Sequence, residues 1–318
     1  MFLLSPAYKD YLWGGNRLRA AFGKQSPDAI IAESWELSVH PDGRSVIASG
    51  ACRGETLAAY LVRHPGAAGE AAGDFPVLVK LIDAQRALSV QVHPDDAYAL
   101  RHAHERGKTE LWHILDAAPG AFLYLGVSRP VSREELAARI ADGTVEQVLQ
   151  KVPVRAGESY YVPAGMLHAI GAGILLYEVQ ETSNQTYRVY DYGRVDAAGR
   201  PRQLHVQQAL AVASLSPVSA VPPGADAARP CGGGTLETLA ETPFFTLRLL
   251  ALDGTAALDA APDGFLHLLC VDGAAEAADG GERLPLPKGA GLFACAGERV
   301  QLRGRARVLC VSRGIPAA

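Results

Sequence analysis

Short apolar blocks and apolar–polar alternation, both typical of β-strands, dominate the first 200 residues. Residues 75–82 read FPVLVKLI, a nearly continuous apolar run that predicts a buried strand. Residues 88–93 read LSVQVH, so Ser89, Gln91 and His93 would share one face of a strand. Further strands are predicted at 35–39, 110–115, 121–127, 159–162, 169–170 and 175–180.

A few short helices interrupt this pattern. Ser132-Arg133-Glu134-Glu135 has the form of a capping box and predicts a helix that continues to about Gln150. Other helices are predicted at 56–62, 95–105 and 205–213.

The best candidate for a linker is residues 215–235, which are rich in Pro, Gly, Ala and Ser. After it, short strands are predicted at 244–252, 265–271, 291–295 and 307–312. We therefore predict a catalytic domain over residues 1–220, which carries the helical insertions, and a C-terminal β domain over residues 232–318.

Two segments align without gaps: RAGESYYVPAGMLH at 155–168 and PKGAGLFACAGERV at 287–300. Gly157 matches Gly289, and His168 falls opposite Val300. The alignment suggests a duplicated β-barrel whose second copy has lost its polar site.

Composition and charge exclude several classes of partner. The 318 residues are 48% hydrophobic and 20% charged, with a net charge of −4 and a pI of about 6.1. The absence of a Lys/Arg-rich run argues against nucleic acid or an anionic membrane, although a basic pocket for a small anion is compatible with this charge. No apolar stretch approaches the roughly 18 residues of a membrane span. Without a signal-like N-terminus and with five unpatterned cysteines, the expected location is the cytoplasm.

Four polar residues form a candidate metal site: Gln91, His93, Glu110 and His168. Gln91 and His93 are two apart on one strand, Glu110 opens another strand, and His168 ends the aligned segment. Imidazole nitrogens and carboxylate or amide oxygens suit zinc, iron(II) or manganese. The alternative is that the two histidines are ordinary core or turn residues.

The spacing Gly157-x5-Pro163-x-Gly165-x2-His168 resembles the second cupin motif, although Ala172 stands where that motif ends in Asn. The resemblance implies a jelly-roll barrel with a metal in its mouth. The expected fold is therefore mainly β, with two cupin-type jelly-roll barrels, the second degenerate, and a few short helices.

Seven blocks resemble, in order, the short bacterial form of class I mannose-6-phosphate isomerase (phosphomannose isomerase). They are LWGG at 12–15, ESWELS at 33–38, FPVLVKLIDA at 75–84, LSVQVHPDDAYA at 88–99, GKTELWHIL at 107–115, YYVPAGMLHAIGAG at 160–173 and TYRVYDYGR at 186–194. The C-terminal part resembles the family only in general character.

The resemblance implies an enzyme with one zinc ion per chain, held by Gln91, His93, Glu110 and His168, that interconverts mannose 6-phosphate and fructose 6-phosphate. It identifies Arg188 as the family's catalytic arginine and places Lys108 and Glu178 in the same pocket, so that all three are expected to be catalytic. It also makes Ser89 a substrate contact. We expect an enediol intermediate, with Glu178 as a candidate to carry the proton. Lys108, Arg188 and Ser89 are expected to bind the phosphate.

Other functions remain open from the sequence. His93, His168 and Glu110 could equally serve an iron(II) dioxygenase of the cupin fold. A sugar-binding cupin without catalysis, or an isomerase for another sugar, would also fit. The expected partner is a small-molecule sugar phosphate, and the chain is expected to be a monomer or homodimer.

Overall fold

The computed structural model describes residues 1–69, 75–195 and 198–314, and most of its regular structure is antiparallel β-sheet. The strands are β1 (Phe2–Ser5), β2 (Ala7–Lys9), β3 (Glu33–Leu37), β4 (Val46–Ile47), β5 (Val77–Ala84), β6 (Val90–Val92), β7 (Glu110–Ala117), β8 (Phe122–Val127), β9 (Leu149–Pro153), β10 (Ser159–Val162), β11 (His168–Ile170), β12 (Ile174–Glu181), β13 (Tyr187–Tyr190), β14 (Asp226–Pro230), β15 (Gly234–Glu241), β16 (Phe245–Asp259), β17 (Leu266–Ala278), β18 (Arg283–Pro287), β19 (Gly291–Ala294) and β20 (Arg299–Arg313). The helices are α1 (Arg17–Phe22), α2 (Leu57–Arg63), α3 (Asp96–His102), α4 (Arg133–Ala141) and α5 (Val206–Val212).

The first barrel consists of two sheets that face each other. One has the strand order β10-β7-β12-β5-β3-β2, and the other has the order β13-β6-β11-β8-β9. Side chains from both sheets, among them Ile82, Trp112, Leu123 and Ile170, form one buried apolar cluster. This two-layered arrangement confirms the predicted mainly β, cupin-type fold.

The second barrel is a nine-stranded sheet in which β14, β15, β16, β20, β17, β19, β1 and β4 are neighbours in that order, with β18 added on β17. Its own apolar cluster includes Leu250, Leu268 and Val300. A further cluster joins the two barrels, with Tyr177 of β12 and Phe293 of β19 both buried in it.

Two matching glycines support the internal repeat by their conformation and their position. Gly157 and Gly289 have φ angles of 93° and 89°, a left-handed conformation that glycine adopts at little cost. Each glycine precedes a strand at the same distance, β10 in one copy and β19 in the other. The second copy is degenerate, because Val300, which aligns with His168, is buried in the apolar cluster of the second barrel.

The helix that begins at the capping box is shorter than the sequence predicted. The Ser132 hydroxyl accepts a hydrogen bond from the Glu135 amide, so the predicted start is confirmed. The helix ends at Ala141, and Gly143 follows with a φ of 74°. A 3-10 turn at Val145–Val148 and strand β9 occupy the residues where helix was expected, so the prediction up to Gln150 was wrong.

The segment predicted as a linker is attached to the first barrel over part of its length. The Ala220 carbonyl accepts a hydrogen bond from the Tyr161 amide at 2.8 Å, and the Leu215 carbonyl accepts one from the Val131 amide at 2.9 Å. At the other end of the chain, β1 pairs with β19 of the second barrel. The division into domains at 1–220 and 232–318 therefore stays a prediction, with at least one strand crossing it.

Candidate metal centre and its pocket

Three side chains with metal-binding atoms converge at the mouth of the first barrel. One donor atom each from His93, Glu110 and His168 lie within 4.8 Å of one another, and all three residues are buried. The His93 Nε2 atom lies 3.3 Å from Glu110 Oε1, and the His168 Nε2 atom lies 3.8 Å from Glu110 Oε2. Three of the four predicted ligands therefore meet at one point, and their role as ligands stays a prediction.

Backbone carbonyls orient both imidazole rings. The Nδ1 atom of His93 lies 2.7 Å from the Gln185 carbonyl oxygen, and that of His168 lies 2.8 Å from the Met166 carbonyl oxygen. Each Nδ1 must donate to its carbonyl, so each Nε2 presents a lone pair to the centre. Burial lowers the pKa of both rings, and with the charge of Lys108 it lowers that of His93 to about 3. Both rings are therefore neutral and able to bind a metal near neutral pH.

Glu110 supplies the negative charge of the centre. Burial alone would raise the pKa of this carboxyl, but Lys108 and the two histidines hold it well below its ordinary value. The Lys108 Nζ atom lies 2.7 Å from Glu110 Oε1 and 3.3 Å from His93 Nε2. The carboxylate is thus ionised and directed at the two imidazoles.

The donor set fits a divalent cation. The His168 Nε2 atom and the Glu110 Oε2 atom are buried and have no hydrogen-bond partner among the described residues. Buried polar atoms of this kind are costly unless something else binds them. Two neutral imidazoles and a carboxylate are ligands that suit zinc and other first-row divalent metals.

Gln91 lies beside this centre on the neighbouring strand. Its Cα is paired with that of His168 on one side and that of Arg188 on the other. Its side chain lines a cavity whose wall also includes Lys108, the residue that contacts His93 and Glu110. The position suits the predicted fourth ligand, and that role stays a prediction.

A polar cavity of about 360 Å³ opens next to the donor set. The structure places every predicted catalytic and substrate-binding residue on its wall: Ser89, Lys108, Glu178 and Arg188. The Arg188 Nε atom donates to the Ser89 hydroxyl at 3.3 Å, and its Nη1 atom donates to the Gln203 carbonyl at 2.9 Å. Both partners are neutral, so the positive charge of Arg188 is not balanced by either of them.

Lys80 and Glu33 also line the cavity, although the sequence analysis did not select them. The Lys80 Nζ atom lies 2.9 Å from Glu178 Oε1 and 4.0 Å from Glu33 Oε2. A signal for Lys80 existed, because it is the only charged residue in the apolar run at 75–82. Other lining residues that were missed are Tyr11, Asn184, Gln185, Thr186 and Arg202.

Glu178 has an environment that favours proton exchange. Burial, and then the charge of Glu110, raise the pKa of this carboxyl, while Lys80 opposes the rise. The second carboxylate oxygen accepts a hydrogen bond from the Trp112 indole N–H at 2.9 Å. A carboxyl whose pKa is raised toward neutrality can serve as a general base or acid.

The fold and this donor set define a cupin-type protein with a site able to hold a metal ion beside a polar cavity. Residues 1–111 match the family model for the catalytic domain of type I phosphomannose isomerase. A mannose-6-phosphate isomerase of Streptococcus mutans is 42% identical over 257 residues, which cover 80% of this chain and 79% of that protein. A putative mannose-6-phosphate isomerase of Bacillus subtilis is 36% identical over 288 residues, 90% of each chain.

A solved structure of a mannose 6-phosphate isomerase from Bacillus subtilis superposes with a TM-score of 0.91 at 34% identity, covering 98% of this chain and 99% of that one. The chain therefore belongs to the mannose-6-phosphate isomerase family, the type I phosphomannose isomerases. Among the described residues, no helix is both long enough and apolar enough to cross a membrane.

Proposed function

We propose that this protein is a zinc-dependent aldose–ketose isomerase that interconverts mannose 6-phosphate and fructose 6-phosphate. The observation that carries the proposal is the His93–Glu110–His168 donor set beside a cavity lined by both acidic and basic side chains. Family membership selects the sugar phosphate, because the relatives that match most of this chain are named for that substrate.

His93, Glu110 and His168 would hold one zinc ion, and Gln91 would complete the set with its amide oxygen. The free Nε2 lone pairs and the ionised carboxylate support this assignment. When bound, the metal would act as a Lewis acid on the oxygens of the sugar at C1 and C2.

Glu178 is the proposed base of the reaction, which moves a proton between C1 and C2 through an enediol. The Glu178 carboxylate would take the proton from one carbon and return it to the other, while the hydroxyl proton passes between the oxygens of C1 and C2. Its hydrogen bond from Trp112 and its ion pair with Lys80 fix its orientation. The ammonium of Lys80 would balance the carboxylate and lower the free energy of negative charge that develops on a nearby sugar oxygen.

Arg188, Lys108 and Ser89 are proposed to bind the phosphate and the developing oxyanion. Arg188 presents a guanidinium whose partners, Ser89 and the Gln203 carbonyl, are neutral. A phosphate oxygen can therefore add a charge-assisted hydrogen bond without displacing an existing ion pair. Lys108 lines the same cavity and brings a second cation to it.

The test is a coupled assay with mannose 6-phosphate before chelation, after chelation and after zinc is returned. We expect activity to disappear with the metal and to return with one equivalent of zinc per chain. Full activity in metal-free protein would contradict metal dependence. Oxygen uptake by the iron(II)-loaded protein, without isomerisation, would instead support a cupin dioxygenase.

A further inference from the structure

The mouth of the second barrel retains a cation at the position equivalent to Lys80. In the first barrel, Glu178 of β12 is paired in register with Lys80 of β5. In the second barrel, Cys310 of β20 is paired in register with Arg248 of β16. Extended at the same spacing, the repeat aligns Cys310 with Glu178, and the pairing of β12 with β7 and of β20 with β17 has the matching register. Arg248 therefore corresponds to Lys80.

Arg248 is directed into the second barrel. It alternates with Leu247 and Leu249, which pack into the cluster between the barrels, and shares its strand face with Leu250 of the second barrel's own cluster.

Arg248 and Leu266, which is paired with Ala294 of β19, line the same cavity. Ala294 aligns with Val162 of β10 in the first barrel, and Val162 is paired there with Glu110. Leu266 therefore corresponds to Glu110. The metal-binding carboxylate is thus replaced by an apolar side chain.

Arg248 has lost the counter-ion that its equivalent has. Its two neighbours in register are Thr238 on β15 and Cys310 on β20, and neither carries a carboxylate. The Arg248 Nε atom is buried and has no hydrogen-bond partner among the described residues. A buried guanidinium N–H without an acceptor is costly, and an anion would remove that cost.

A cavity of about 400 Å³ lies in front of Arg248, within the range of roughly 300–1,000 Å³ that small-molecule sites occupy. Thr246 and Ser312 place hydroxyl groups on its wall, and the Ser312 hydroxyl donates to the Arg313 carbonyl at 3.4 Å. The exposed Asp259 and Asp263 lie toward solvent. Asp259 is paired with Arg299 at 3.0 Å, and the Asp263 carboxylate is an acceptor for hydroxyl groups of a ligand. An anion at the inner end and hydroxyl groups at the outer end would match this lining.

We propose that the mouth of the second barrel is a binding site for a small polyol that carries a phosphate group, with Arg248 as its anion contact. The site is separate from the donor set of the first barrel and does not depend on the function proposed there. Duplication supplied the cation, and the replacement of the two carboxylates by Cys310 and Leu266 left this cation able to bind an anion.

The test is NMR titration of the ¹⁵N-labelled, zinc-loaded full chain with glucose 6-phosphate, inorganic phosphate and glucose, separately. We expect saturable shifts of the Thr246, Leu266 and Ser312 amides, with glucose 6-phosphate binding more tightly than either fragment. Arg248→Met should weaken this binding by about tenfold or more, the loss expected for one charge-assisted contact. Isomerase activity should not change, since Arg248 is distant in the fold from the first cavity.

Arg305→Met is the matched control, because Arg305 lies on β20 of the same barrel, is exposed and carries the same charge. Arg248→Lys, which keeps the charge, should retain part of the binding and serves if Arg248→Met does not fold. The absence of shifts in the native chain, or equal shifts in Arg248→Met, would overturn the site. Binding of glucose 6-phosphate no tighter than that of phosphate would overturn the assignment of a polyol.

Discussion

Lys80 and Glu178 face each other across the β5–β12 strand pair, with the ammonium nitrogen 2.9 Å from a carboxylate oxygen. Both side chains are buried, yet both line the cavity beside the candidate metal centre. Burial opposes the charge of Lys80, but Glu178 and Glu33 raise the pKa of the ammonium above its ordinary value. Lys80 therefore stays charged and restrains the rise in the pKa of Glu178.

Replacement of Lys80 by Met should raise the pKa of Glu178 further, because only Lys108 would then oppose the effects of burial and Glu110. If Glu178 works as the base, the acidic limb of kcat/KM should move to higher pH, since more alkaline conditions are needed to ionise it. Leaving one charge of a buried pair unpartnered also costs about 3–5 kcal/mol of stability. A pH–rate profile and a urea melt measure the two effects.

Lys151→Met is the control for this substitution, because Lys151 is exposed and its ammonium lies over the Phe122 ring, outside the cavity. It should leave both the pH profile and the stability close to those of the native chain. An acidic limb that does not move in Lys80→Met would remove Glu178 from the role of base.

His168→Ala should lose bound zinc and activity together. The ring supplies one of three converging donor atoms, and its Nε2 atom has no partner among the described residues. We expect less than about 0.1 equivalent of zinc after dialysis. Loss of a residue that hydrogen-bonds to a metal ligand weakens metal binding by roughly 10–100-fold, and loss of the ligand itself should weaken it more. Metal analysis by mass spectrometry checks this.

The matched control is His102→Ala, since His102 is exposed and its ring contacts Tyr98. That variant should keep its zinc. Retention of a full equivalent of zinc by His168→Ala would instead show that the metal is held elsewhere.

The candidate metal donors could be selected from the sequence because strand alternation is a local property. Gln91 and His93 share a face whatever the rest of the fold does, and the glycine-rich turn before His168 has a recognisable spacing. The cavity wall could not be predicted in the same way. Lys80 contacts Glu178 only because β5 and β12, nearly a hundred residues apart, are paired in one register.

Long-range pairing also explains what the sequence analysis missed in the second barrel. The aligned segments at 155–168 and 287–300 show the lost histidine, but they do not include Arg248 or Cys310. Cys310 matches Glu178 only when the alignment is extended beyond these segments, and Arg248 matches Lys80 only through the pairing of β16 with β20. The predicted length of helix α4 was wrong for a local reason. Gly143 adopts a left-handed conformation just after the last helical residue, so the helix ends well before Gln150.

Glu181 should make the protein less stable as pH rises from about 4.5 to about 7. Burial, and then Asp96, raise the pKa of this carboxyl to about 7. One oxygen accepts a hydrogen bond from the Thr109 amide at 2.8 Å, and the other is buried without a partner. The folded state therefore binds a proton that the unfolded state has already released, so stability is full below about pH 4.5 and is lost as pH rises through 7.

Glu181→Gln removes this titration and should be more stable than the native chain at pH 8, with little difference at pH 4.5. Urea melts at the two pH values measure the change. Glu134→Gln, at an exposed position in the first turn of α4, is the control and should not reproduce it. Equal stability of Glu181→Gln and the native chain at pH 8 would mean that the carboxyl ionises without cost.

Arg188→Lys tests whether the guanidinium, and not merely a positive charge, binds the phosphate. Arg188 donates from Nε to the Ser89 hydroxyl and from Nη1 to the Gln203 carbonyl. These two hydrogen bonds fix the plane of the forked guanidinium group beside the cavity. Lysine has no such fork, so the KM for mannose 6-phosphate should rise by about tenfold or more, and inhibition by inorganic phosphate should weaken in parallel. The exposed Arg155→Lys is the control and should change neither constant. If KM and phosphate inhibition in Arg188→Lys equal those of the native chain while kcat falls, Arg188 acts on the reacting oxygens and the phosphate is held by Lys108 instead.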